Sequence, residues 1–151
     1  MSRCQKQLIA KVVLLAGFWV TGCTFFSSPI DISGLWVGSI QWTDGPGAGF
    51  TSPITLDLLH IDRDLSGTVT LAGPGSSSFD LAVVEGRAKT VSMSLEASGV
   101  LATSPPQNVT LTLEGEFLET QMSGTGTQTV NGTTYNLTWE AVLVAPLIPP
   151  E

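Results

Sequence analysis

The sequence predicts an all-β domain: an eight-stranded antiparallel up-and-down barrel, with a two-sheet β-sandwich as the alternative. Three observations predict it. Apolar and polar residues alternate with period two in one segment after another. Turn-forming residues separate those segments at short intervals. Beyond residue 34 there is almost no apolar pattern of helical period. Strict alternation buries one face and wets the other, which is the mark of antiparallel sheet. Thr and Val suit it because their branched Cβ fits the pleat.

The strands fall at about 34–43, 52–61, 66–72, 79–85, 90–97, 108–117, 120–130 and 133–144. In the second, Ile54, Leu56 and Leu58 alternate with Thr55 and Asp57. In the fifth, Val91, Met93 and Leu95 alternate with Thr90, Ser92, Ser94 and Glu96. In the sixth, Val109, Leu111 and Leu113 alternate with Thr110, Thr112 and Glu114. In the eighth, Tyr135, Leu137, Trp139, Ala141 and Leu143 alternate with Asn136, Thr138 and Glu140. Loops are expected at 44–49, 73–78 and 104–107, and turns at Asp62-Arg63-Asp64, Glu85-Gly86-Arg87 and Ser98-Gly99. Asn131-Gly132 is the strongest hairpin signal, because a type I′ turn needs positive φ twice.

A weak repeat runs through the domain. Thr55-Leu56-Asp57-Leu58 precedes Ser66-Gly67-Thr68, and Thr110-Leu111-Thr112-Leu113 precedes Ser123-Gly124-Thr125. A glycine inside a strand marks a bulge or a sharp bend, and bends let a sheet curl and close. Closure removes the exposed edges of a meander.

The first 22 residues stand apart. Arg3, Lys6 and Lys11 precede an apolar run from Val12 to Val20. This is the layout of an export signal, and the run is shorter than the roughly 20 residues that span a bilayer. Val20-Thr21-Gly22-Cys23 resembles the lipobox of bacterial lipoproteins. The resemblance implies cleavage before Cys23, diacylglycerol on its thiol and a fatty acyl chain such as palmitate on its amine. Several acyl chains hold a protein on a membrane, at about 0.8 kcal/mol per buried methylene. It also implies a location in the bacterial cell envelope. Thr24, where an Asp would favour the inner membrane, points to the outer membrane if the source has two. The resulting division is signal 1–22, lipidated Cys and tether 23–33, barrel 34–145 and Pro-rich tail 146–151.

Removing the signal sharpens the charge. The whole chain carries six Lys+Arg against thirteen Asp+Glu, a net −7. Three of the cations lie in the signal, so Arg63, Arg87 and Lys89 alone face thirteen acids, a charge of −10 from Cys23 onward. Such a domain is a poor partner for nucleic acid, whose phosphates need Lys and Arg. With Cys4 removed and Cys23 alkylated, no disulfide can form.

Gly34-Leu35-Trp36 opens the first strand. Gly-x-Trp at the start of an eight-stranded meander resembles the lipocalin and wider calycin barrels. The resemblance implies a closed barrel, an inward Trp36 at its narrow end and an apolar ligand in the lumen. Lipocalins pair that Trp with a late Arg or Lys. No Arg or Lys follows Lys89 here, so the cation–π lid is missing. The expected lumen residues are Trp36, Trp42, Tyr135 and Trp139.

Few residues suggest other chemistry. His60, the one histidine, stands near Asp62 and Asp64 and reads as a surface residue beside an acidic hairpin. Glu114 and Glu116 share a strand face near Glu119 and read as solvated charges. Asn108, Asn131 and Asn136 head formal glycosylation sequons of a Thr-rich chain. No phosphate loop, dinucleotide fingerprint or metal-ligand spacing appears. The sequence therefore predicts a non-enzymatic, lipid-anchored envelope protein with no cofactor beyond the covalent lipid. Its partners would be the membrane and a small apolar molecule in the barrel. The alternative is a ligand-free structural module that holds an envelope protein.

Overall fold

Every alternating segment beyond residue 34 forms a strand in the computed structural model, which describes residues 30–72 and 78–146. In chain order these are β1 (Gly34–Trp42), β2 (Thr51–Ile61), β3 (Asp64–Ala72), β4 (Ser78–Ala88), β5 (Ser92–Leu101), β6 (Gln107–Leu118), β7 (Gln121–Val130) and β8 (Thr133–Pro146). A single 3-10 turn, Gly45–Gly47, lies between β1 and β2. Each strand pairs antiparallel with the next, and β8 returns to pair with β1, so the sheet is a closed up-and-down barrel. The sandwich is thereby excluded. The expected signal segment, Cys23 with the tether up to residue 29, residues 73–77 of the second expected loop and residues 147–151 lie outside the described residues.

Period two sorts the side chains between the inside and the outside of the barrel. Ile40, Ile54, Leu56, Leu58, Val69, Leu71, Leu81, Leu111 and Leu113 point inward and are buried. Thr, Ser, Asp and Glu alternate with them outward. The polarity is therefore opposite to that of a membrane-spanning barrel, which turns its apolar residues out.

One end is plugged. Both chain ends of the barrel, Gly34 and Pro146, pair there, and the β2–β3, β4–β5 and β6–β7 turns surround them. Residues 30–33 fold back over this end as a strap. Ile32 inserts among the core residues, and its carbonyl accepts the Trp36 Nε1–H bond at 2.9 Å. The tether expected as far as residue 33 is thus packed structure in its last residues. The strap is pinned to β2: the His60 N–H donates to Ser33 Oγ at 2.9 Å, and the Ile32 N–H reaches His60 Nδ1 at 3.4 Å. The His60 side chain is only 4% exposed, which corrects its reading as a surface residue. The strap covers it, and alternation along β2 alone carries no trace of the strap. Its Nε2 is buried and finds no partner among the described residues.

Asp31 closes the strap's turn by accepting the Ser33 N–H at 2.8 Å. Hydrogen bonding from Ser33, first its side chain and then its backbone, holds the Asp31 carboxyl below its ordinary value of 3.8, with His60 nearby assisting. A folded-state value below the unfolded one stabilises the fold above the unfolded pKa. That contribution fades as pH falls through the still lower folded value. Urea unfolding midpoints of wild type and Asp31→Ala should accordingly differ at pH 5 and converge toward pH 2. A constant difference across that range would remove Asp31 ionisation from the strap.

Two expected turns are strand interior. Glu85, Gly86 and Arg87 belong to β4, where the register with β5 shifts between Val83 and Glu85. Gly86 lies against β3, where an added Cβ would stand 2.7 Å from the Leu65 Cβ. Ser98 and Gly99 pair straight through with Thr110 and Val109. Val91 precedes β5 and is exposed, so the inward series starts at Met93. At the C-terminus, Pro146 belongs to β8 rather than to a tail, because it pairs with Gly34 at the strand's end.

The sequence repeat has a structural counterpart. Gly67 pairs with Leu58, and Gly124 pairs with Gly115. At each glycine an added Cβ would fall 1.9 Å from a carbonyl of the preceding strand, Asp57 O or Glu114 O. Both hairpins therefore bend where only glycine lets two backbones approach so closely.

Candidate functional site

Among the described residues, the barrel's other end is open. The β1–β2, β5–β6 and β7–β8 connections, with the end of β3 and the start of β4, surround this mouth, and a cavity of about 560 Å³ occupies it. Ligand sites span roughly 300–1,000 Å³, so the volume suits a small molecule. The wall is largely apolar: Trp42, Phe50, Leu71, Phe79, Leu101, Val130 and Tyr135 face it, with Ser52, Gln107 and Gln128 among the polar members.

The β1–β2 connection builds one side of the mouth. Trp42 ends β1 and bonds across the loop, its N–H donating to Phe50 O at 3.2 Å and its carbonyl accepting the Gly49 N–H at 2.8 Å. The 3-10 turn lies against two aromatic rings. A Cβ at Gly45 would strike the Tyr135 ring at 2.4 Å, and a Cβ at Gly47 would come within 3.6 Å of the Trp42 ring. Asp44 clamps the loop to β8 by accepting the Asn136 N–H at 2.7 Å and the Asn136 side-chain amide. Phe50 stands 70% exposed at the rim.

One polar side chain is held inside. Gln128 is 9% exposed and accepts the Trp42 Nε1–H bond through Oε1 at 2.8 Å. That bond satisfies the indole and fixes the plane of Trp42 against the cavity. It also directs the Gln128 amide so that its NH2 donors lie opposite the occupied oxygen.

The four aromatic residues expected in the lumen divide by depth. Trp42 and Tyr135 line the cavity. Trp36 sits at the plugged end, 1% exposed, bonded to the strap. Trp139 lies in the middle of the barrel, its Nε1–H shared between Thr125 O at 3.1 Å and Glu114 O at 3.2 Å. Its indole covers Gly115, the position in register with Gly124 and through it with Trp139 itself. Trp36 and Trp139 therefore fill the lumen below the mouth. Phe50, Phe79, Leu101 and Gln128 line the cavity without having been expected there. Gln128 had a signal, since it pairs with the inward Tyr135. Phe50 had none, being a loop residue.

Glu114 and Glu116 are exposed on the outer wall, and Glu119 stands in the β6–β7 turn at the plugged end. Asp62 and Asp64 flank the β2–β3 turn at that same end, away from the cavity. Among the described residues no group of three His, Cys, Asp or Glu is placed to hold a metal ion. Comparison of the chain with protein-family models, curated proteins and solved structures finds no match.

Proposed function

We propose that the chain is a lipid-anchored envelope protein that holds a small apolar ligand in the mouth of a lipocalin-like barrel. The observation that carries the reading is the mouth cavity of about 560 Å³, walled by aromatic and aliphatic side chains with a few fixed polar groups. The lipobox at Cys23 supports the anchor, and the Gly34-x-Trp36 start of an eight-stranded closed barrel supports the lipocalin-like label.

Anchor and mouth have a spatial relation. Ile30 begins the strap at the plugged end and lies seven residues after Cys23. Seven residues reach at most about 25 Å. A lipid on Cys23 then keeps the plugged end near the bilayer and directs the mouth outward, where a ligand or a second protein reaches it.

Two measurements test the reading. Radiolabelled palmitate should enter wild type and not Cys23→Ala, and equal labelling would reject the anchor. Native mass spectrometry of protein purified from its host should show a bound small molecule that is lost in Phe79→Glu, which places a charge in the mouth. A bare wild-type mass would reject the carrier reading.

A second reading, an envelope interaction module, draws on the exposed Ile61, Leu118 and Val144 near the plugged end. It would have to use that outer surface, because every described strand is paired on both sides and offers no edge for strand addition.

A further inference from the structure

Resting on the mouth as a ligand site, we infer that the site selects uncharged ligands and rejects anionic ones of the same shape, carboxylates of fatty acids among them. The inference comes from where the chain puts its charges. Among the described residues, no ionisable group other than the phenol of Tyr135 faces the cavity. Residues 73–77 of the β3–β4 connection, which lie outside the described residues, are Gly-Pro-Gly-Ser-Ser and add none.

The described cations are all far away. Arg63, Arg87 and Lys89 belong to the plugged end, in or beside the β2–β3 and β4–β5 turns, and the one histidine is buried under the strap there. Arg87 follows Phe79, a wall residue of the cavity, by eight residues along β4. At 3.3 Å per residue that is about 26 Å, more than two screening lengths at physiological salt. None of the described basic groups can therefore offset the charge of a bound anion.

The nearest charges have the wrong sign for an anion. Asp44 stands on the β1–β2 connection above the cavity, and Asp80 next to Phe79 bonds Thr70 at 2.6 Å on the outer wall. Entering the mouth would strip water from an anionic head group in exchange for aromatic rings and two distant carboxylates. Moving an unpaired charge out of water is strongly unfavourable. A neutral group incurs no such penalty and can accept from the donors of Gln128 or Gln107. The matching ligand class is a neutral, partly aromatic molecule with a hydrogen-bond acceptor, such as an ester, an amide or a ketone.

Two dyes of one skeleton test this. N-phenyl-1-naphthylamine is neutral, and 8-anilinonaphthalene-1-sulfonate adds one fixed negative charge to the same rings. Fluorescence titration of the full chain should give a Kd for the amine at least tenfold below that for the sulfonate. Gln107→Lys brings an ammonium into the mouth and should lower the ratio of the sulfonate Kd to the amine Kd at least fivefold. Equal affinity of wild type for the two dyes, or a ratio unmoved by Gln107→Lys, would overturn the selection while leaving the pocket standing. Failure of both dyes to bind, or binding that Phe79→Glu does not weaken, would overturn the mouth as a ligand site.

Discussion

Trp36→Ala will destabilise the barrel by about 3–5 kcal/mol, the range for removing a large buried aromatic residue. The loss has two parts. The ring fills the plugged end among core residues and is 1% exposed, so its removal leaves a cavity. Its N–H also holds Ile32 O, the carbonyl of the residue that caps the core. Trp36→Phe separates the two, because it keeps most of the volume and removes the donor. It should cost about 1–3 kcal/mol, the penalty of leaving a buried carbonyl unpaired. It should also make the strap the first region to exchange its amide hydrogens. Urea unfolding with hydrogen exchange checks both. A Trp36→Ala protein within 1 kcal/mol of wild type would show that the strap, not the indole, plugs the barrel.

Gly124→Ala will cost about 3 kcal/mol and will weaken the β6–β7 pairing before any other. The added carbon would stand 1.9 Å from Glu114 O and 2.5 Å from the Gly115 Cα, both backbone atoms that no rotamer change can move. Overpacking of this kind usually costs 1–3 kcal/mol, and a backbone obstacle belongs at the upper end. Gly67→Ala meets the same obstacle at Asp57 O and adds strain, since Gly67 has φ +137°. Thermal unfolding of the two single variants gives the measure. Wild-type stability in either would mean that the bend tolerates a side chain and that closure does not depend on it.

The strands were legible because burial inside a small barrel imposes period two on nearly every one, from Ile54-Leu56-Leu58 to Leu137-Trp139-Ala141. Glycines were the weak point. Gly86 and Gly99 look like turn residues in a short window, yet each sits mid-strand against a neighbouring strand. Local sequence cannot tell a glycine needed for a turn from one needed for room. The site was half legible for a related reason. Alternation says that Trp36, Trp42, Tyr135 and Trp139 point inward but not how deep each lies. Depth follows from the register between strands, which places Trp42 at the mouth and Trp36 at the plug. The burial of His60 was half legible: it is in phase with the inward Ile54, Leu56 and Leu58, but its cover comes from residues 30–33 folding back over β2, a long-range contact with no periodic signature.

Ring closure between β1 and β8 gives the barrel no first strand. Gly34 and Pro146 are paired neighbours at the plugged end, and Asn131-Gly132 forms a two-residue turn at the mouth. The chain could therefore be joined at the plug and reopened between Asn131 and Gly132 with all eight ladders kept. Such a circular permutant would begin at the rim of the cavity. Whatever holds its new N-terminus would then face the mouth instead of the plug. The direction in which this barrel presents its cavity is thus a property of where the chain is cut, separable from the fold itself.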